Sequence, residues 1–164
     1  MITPQCIIIM GVSGCGKTTI GKKLAQDLGW QFYDADDFHP LENRLKMSQG
    51  VPLNDEDRAE WLYTLQQLIH KNIEERRSLV LACSALKQRY REILSDNKYV
   101  RFVYLRGSYE QIKTRLERRK DHFMPVQLLQ SQFEALEEPQ DAFFVDISNS
   151  PEDIINLIRK GMEP

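Results

Sequence analysis

Gly11-Val12-Ser13-Gly14-Cys15-Gly16-Lys17-Thr18 is the stretch that decides the fold. It follows the GxxxxGK[ST] pattern, a glycine-rich turn ending in a lysine and a hydroxyl residue. The run before it, Cys6-Ile7-Ile8-Ile9-Met10, is apolar and suits a buried strand. After it, Ile20, Leu24 and Leu28 recur every four residues, the spacing of a helix face. A strand, a tight turn and a helix start together make a polyphosphate cradle. Backbone N–H groups of the turn converge on the anion, and the helix N-terminus adds partial positive charge. Lys17 brings a mobile full charge for the β- and γ-phosphates, and Thr18 a hydroxyl ligand for Mg²⁺. The loop Gly11, Val12, Ser13, Gly14, Cys15, Gly16, Lys17, Thr18 is therefore a candidate nucleoside triphosphate site. A plain glycine-rich turn in a βα unit leaves Lys17 and Thr18 unexplained.

The chain's 164 residues suit one domain with a full core. A formal charge of −2 gives no electrostatic sign of a nucleic-acid or membrane-surface partner. No run of apolar residues reaches membrane-spanning length, and the first ten residues lack the basic region and cleavage site of a signal peptide. Cys6, Cys15 and Cys83 have no CxxC spacing, so a reduced, cytoplasmic setting is expected. Cys6 and Cys83 read as core residues. Cys15, inside the loop, reads either as a reactive thiol or as a bystander.

Apolar runs at Cys6–Met10, Gln31–Asp34, Leu79–Cys83, Val100–Leu105 and Ala142–Ile147 alternate with helical patterns at Thr18–Leu28, Asp57–Arg76, Lys87–Ser95, Tyr109–Lys120, Val126–Leu136 and Pro151–Lys160. That alternation predicts an α/β fold with a parallel sheet covered on both faces. Two segments break the rhythm. The polar stretch 35–56 and the junction 119–125 both follow elements that can end at the carboxyl edge of the sheet, where ligands bind.

Asp34-Ala35-Asp36-Asp37-Phe38-His39-Pro40 closes the second strand. Phosphoryl transfer to an alcohol needs one carboxylate near Mg²⁺ and another to orient the hydroxyl and take its proton. Asp34 and Asp36 are two apart, so on an extended chain they point the same way. A solvated acidic turn is the alternative. Residues 43–58 mix the cations Arg44, Lys46 and Arg58 with amides and carboxylates, a set fit for an anionic polyol. They equally fit a charged loop before a helix capped by Asp55, with Trp61 and Leu65 buried. Lys87 and Arg91 lie four apart, on one face if helical, and either can meet an anion or simply form a basic surface. Arg115, Arg118 and Arg119 cluster at a helix end, where they can close over phosphate or complement the helix dipole. His122 reads as a packing or hinge residue. Asp146 ends an apolar run that imitates a second metal motif, and at a sheet edge it would lie far from Thr18.

With these residues in view, the chain resembles the gluconate kinases (gluconokinases), a branch of the P-loop kinases related to shikimate and nucleoside-monophosphate kinases. The resemblance covers nearly the whole chain. It rests on Gly11–Thr18, Asp34–Pro40, Asn43…Lys46-Met47…Gly50…Pro52-Leu53, Asp55…Asp57-Arg58…Trp61-Leu62, Cys83-Ser84-Ala85-Leu86-Lys87 with Tyr90-Arg91, and His122-Phe123-Met124-Pro125 with Ser131-Gln132-Phe133. It implies the P-loop NTPase fold over residues 1–164, with a five-stranded parallel sheet of order 2-3-1-4-5. It also implies a substrate-binding insertion at about 35–60 and a lid at about 119–126. The implied reaction moves the γ-phosphate of ATP, with Mg²⁺, to the 6-hydroxyl of D-gluconate, in a cytoplasmic homodimer. In that reading Lys17, Asp36, Arg118 and Arg119 are catalytic, and Thr18 and Asp34 hold the metal. Asp36, His39, Lys46, Arg58, Lys87 and Arg91 meet the substrate. Another small-molecule kinase, or a nucleotide-dependent switch, would share the loop. The Asn-Lys-x-Asp base-reading signature of GTP switches is absent from the sequence.

Overall fold

The computed structural model describes residues 3–118 and 126–162. In chain order the elements are β1 (Cys6–Met10), α1 (Lys17–Leu28), β2 (Gln31–Asp34), a 3-10 turn (Ala35–Phe38), α2 (Leu41–Ser48), α3 (Asp55–Glu74), β3 (Leu79–Ala82), α4 (Gln88–Leu94), β4 (Val100–Arg106), α5 (Tyr109–Arg118), α6 (Val126–Ala135), β5 (Phe143–Asp146) and α7 (Pro151–Gly161). All five strands pair in parallel, in the order β2-β3-β1-β4-β5. The expected sheet order is therefore met.

Every residue of β1 is buried, as a central parallel strand requires. Its side chains alternate between two cores. Ile7 and Ile9 pack with Leu24, Ile112, Ile154 and Ile158 on one face. Cys6, Ile8 and Met10 pack with Trp61, Leu65, Ile69 and Tyr90 on the other. The period-two geometry of a strand thus feeds two helical layers from one apolar run.

The structure corrects three local readings. The polar stretch after β2 is not loop throughout: it holds the 3-10 turn and α2. α2 escaped the periodicity test because Leu41 and Leu45 face solvent while its buried residue is Asn43. The cap of α3 is Asn54, not Asp55. The Asn54 side chain accepts from the Asp57 N–H at 2.8 Å while Asp57 accepts from the Asn54 N–H at 3.1 Å, a reciprocal capping box. Finally, Asp34 and Asp36 do not share an extended strand. The chain turns at Asp34, whose Oδ1 accepts from the Asp36 N–H at 3.0 Å.

Candidate active site

The loop between β1 and α1 lies at the carboxyl edge of the central strand. Gly16, the N-cap of α1, has φ 101°, a conformation that carries no side-chain penalty only for glycine. It makes no side-chain cap, and the first turn of α1 holds no acidic residue, so its N–H groups and dipole stay available to an anion. At Gly11 a Cβ would lie 2.7 Å from Cys15 Sγ and 2.9 Å from the Leu105 carbonyl, so the loop has no room for a side chain there. Lys17 Nζ donates to the Gly11 and Val12 carbonyls at 2.9 and 3.0 Å, which folds the ammonium over the loop.

Two cavities meet at this loop. The smaller, about 100 Å³, is lined by Gly14, Gly16, Thr18 and Asp34 together with Ser13, Lys17 and Asp36. The larger, about 210 Å³, shares Ser13, Lys17 and Asp36 and extends over His39, Met47, Leu53, Arg58, Trp61 and Ser84 to Leu128 and Gln132. One chamber is built from the phosphate loop and the other from the polar insertion and α6. An ammonium and a carboxylate stand where they join.

Thr18 Oγ1 donates to Asp34 Oδ2 at 2.7 Å. This pairs a hydroxyl and a carboxylate, both hard oxygen donors, beside the phosphate chamber, and such a pair fits Mg²⁺. Among the described residues no group of three or more His, Cys, Asp or Glu side chains gathers around a metal position. A cation held by Thr18 and Asp34 would draw its other ligands from water and phosphate, as Mg²⁺ commonly does.

The substrate candidates divide. Asp36, His39 and Arg58 line the larger cavity. The Arg58 guanidinium is steadied by the Leu53 carbonyl at 2.7 Å, the Tyr90 hydroxyl at 3.3 Å and the Tyr90 ring at 5.5 Å. Lys46 is engaged elsewhere, in an ion pair with Asp57 at 2.8 Å that holds the Asp57 carboxyl below its usual range. Lys87 pairs with Asp55 at 3.2 Å, and Asp55 also takes the Tyr90 hydroxyl and Arg89.

Arg91 is a structural residue in this arrangement. It is 3 % exposed, and it donates to the Ala85 carbonyl at 2.6 Å and the Glu137 carbonyl at 2.7 Å. Ala85 has φ 44°, a strained position for an alanine, and Arg91 fastens that turn. The shared face expected for Lys87 and Arg91 fails because Lys87 is the N-cap of α4, with an extended backbone (φ −105°, ψ 148°), outside the helix.

Arg118 is exposed in the last turn of α5. Arg115 Nη1 would lie 4.0 Å from a Cβ built on Gly16, and its Nη2 donates to the Ile147 carbonyl at 2.5 Å. Arg119 and the segment His122-Phe123-Met124-Pro125 lie outside the described residues. Asp146 stands on edge strand β5, where the Ser148 N–H at 2.8 Å holds its carboxyl below the usual range.

Sequence reasoning missed Gln132 as a site residue. Its Oε1 accepts from the Ser13 N–H at 2.7 Å and its Nε2 donates to Ser13 Oγ at 3.0 Å. The two residues are 119 apart, and no local pattern signals the contact. By its spacing Trp61 reads as a core residue of α3. Its Nε1 also donates to the Ala35 carbonyl at 2.7 Å, which fixes the turn between Asp34 and Asp36.

A phosphate loop at the edge of a 2-3-1-4-5 sheet, opening on a second, polar chamber, defines a P-loop kinase of small molecules. The shikimate kinase family model matches residues 13–158. A probable gluconokinase of Rattus norvegicus is 44 % identical, over 99 % of this chain and 94 % of that protein. The gluconokinase of Arabidopsis thaliana is 47 % identical, over 96 % of this chain and 92 % of that one. Among solved structures, a gluconokinase from Sinorhizobium meliloti 1021 superposes with a TM-score of 0.87 at 37 % identity, covering 98 % of this chain and 93 % of that one. The chain belongs to the gluconokinase family of P-loop kinases.

Proposed function

We propose that this protein transfers the γ-phosphate of ATP to the 6-hydroxyl of D-gluconate, giving 6-phosphogluconate and ADP. The observation that carries the reading is the junction of the two chambers at Lys17 and Asp36. The relatives' names supply the identity of the acceptor.

In this proposal the loop amides and Lys17 hold the triphosphate, with Lys17 offsetting charge that builds on the β–γ bridge. Mg²⁺, held by Thr18 and Asp34, would neutralise phosphate charge. Asp36 orients the 6-hydroxyl and accepts its proton as the O–P bond forms and the bond to ADP breaks. Arg58 grips the substrate carboxylate, for which its planar fork is suited. Met47, Leu53 and Trp61 wall the chamber, and His39 serves the hydroxyls. Arg118 and Arg119, beside a lid at about 119–126, close on the phosphates and exclude water. The single-domain layout, the cytoplasmic setting and the homodimer belong to the same reading. No helix among the described residues is long and apolar enough to cross a membrane.

ADP release measured with and without gluconate tests the activity. Release that gluconate does not stimulate, while shikimate or a nucleoside monophosphate does, would assign a different acceptor. Asp36→Asn should lower turnover far more than it weakens ATP binding. Equal losses in both would give Asp36 a metal or structural role instead.

A further inference from the structure

His39 and Asn43 form a pair whose geometry fixes where a proton sits. Both are buried, His39 against the Trp61 ring with centroids 4.2 Å apart and planes 12° from parallel. Asn43 Nδ2 lies 2.7 Å from the Asp57 carbonyl and 3.2 Å from His39 Nδ1. A backbone carbonyl can only accept, so the Asn43 nitrogen, not its oxygen, must face Asp57. That settles the amide orientation, which contact distance alone leaves open. The same NH₂ group then directs its second hydrogen at His39 Nδ1. Nδ1 must accept it, so in the neutral ring the proton resides on Nε2. Nε2 lies 4.0 Å from Asp36 Oδ1, at the wall of the larger cavity.

We propose that Asn43 locks His39 as its neutral Nε2–H tautomer, so that the acceptor chamber meets a hydrogen-bond donor, not a base, beside Asp36. The catalytic part of this inference rests on the proposed phosphoryl transfer; the tautomer itself does not. A ring with its acceptor nitrogen occupied cannot take the substrate's proton, which leaves that task to Asp36. Its Nε2–H instead steadies the Asp36 carboxylate or a substrate hydroxyl in the acceptor position. Burial, with Arg58 and Arg44 nearby, keeps the ring neutral, its pKa lowered to about 4. Asn43 is thereby a positioning residue, one that acts on the reaction only through His39. The capping box of α3 contributes in turn, because it holds Asp57, whose carbonyl orients Asn43.

Long-range ¹H–¹⁵N correlation on ¹⁵N-histidine-labelled protein at neutral pH reads the tautomer directly. The sequence has three histidines, and His70→Gln with His122→Gln leaves His39 as the single imidazole. The expected spectrum shows a protonated Nε2 and a bare, pyridine-type Nδ1. A proton on Nδ1, a doubly protonated ring or exchange between tautomers overturns the proposal. Asn43→Asp should draw the proton to Nδ1, and an unchanged folded-state spectrum would remove Asn43 from its role. In kinetics, His39→Gln keeps an N–H near the ε position and His39→Leu does not. His39→Gln should retain a kcat about tenfold higher than His39→Leu, the worth of one hydrogen bond to a charged group. Equal kcat values would refute the donor role. Should gluconate prove not to be phosphorylated while Nε2–H is observed, the proposed function fails and the locked tautomer stands.

Discussion

Replacing Gln132 with alanine isolates the contact that ties α6 to the phosphate loop. Two hydrogen bonds are lost, at 2.7 and 3.0 Å, and both end on Ser13. Each partly buried bond contributes about 0.5–1.5 kcal/mol net, so the pair amounts to about 1–3 kcal/mol. Ser13 lines both chambers, so a displacement there moves the loop relative to the acceptor. If half of that free energy, about 0.5–1.5 kcal/mol, is expressed in the transition state, kcat/KM for ATP drops about two- to tenfold. Coupled ADP release with gluconate gives the rate, and urea unfolding gives the stability loss on the same sample. Ser13→Ala removes only the hydroxyl acceptor and leaves the backbone N–H bond to Gln132, so its effect should be smaller. The double variant should lose less than the sum of the singles, with a coupling of about 0.5–1 kcal/mol. A folded Gln132→Ala protein with unaltered kcat/KM, or losses that simply add, refutes the reasoning.

Lys17→Met should cut turnover by at least about a hundredfold, since it deletes a charge that serves the transition state, while circular dichroism and melting show an intact fold. Arg91→Met should cost about 2–4 kcal/mol, because it strands the Ala85 and Glu137 carbonyls, yet leave KM for gluconate unchanged. A raised KM at unchanged stability would return Arg91 to the substrate chamber. His39 gives stability a pH dependence. Below its ordinary 6.5 the unfolded chain takes up a proton that the folded imidazole refuses until about 4. Stability is therefore full above pH 6.5 and declines as pH falls through that window, by up to about 3 kcal/mol. Urea midpoints across the window should show this slope in the wild type and a shallower one in His39→Gln.

The fold was legible wherever burial dictated residue type. The apolar run of β1 and the four-residue spacing of α1 needed no tertiary knowledge. Trp61 and Leu65 fall on the buried face of α3 as their spacing required. The polar insertion resisted the same method because α2 turns its polar side, Asn43, inward. Asp34 and Asp36 both line the smaller cavity, but not as neighbours on one strand: Asp34 ends β2, and the 3-10 turn after it carries Asp36. The spacing of Lys87 and Arg91 carried no information on a shared face, since one residue lies outside the helix that holds the other. Gln132 stands in the sequence only as part of the Ser131-Gln132-Phe133 match, and its bond to Ser13 leaves no local trace because the two residues are 119 apart.

All three sulfhydryls are sealed inside the molecule, with Cys6 at 0 % and Cys15 and Cys83 at 1 % exposure. Burial also pushes their ionisation upward, to about 12 for Cys83. An alkylating or disulfide-exchange reagent can therefore attack only after the chain opens. Cys15 clocks breathing of the nucleotide turn, whereas Cys6 and Cys83 clock rupture of the central strands. A single modification time-course, resolved by peptide mass, would consequently map which part of the scaffold loosens first and how firmly a bound triphosphate shuts it.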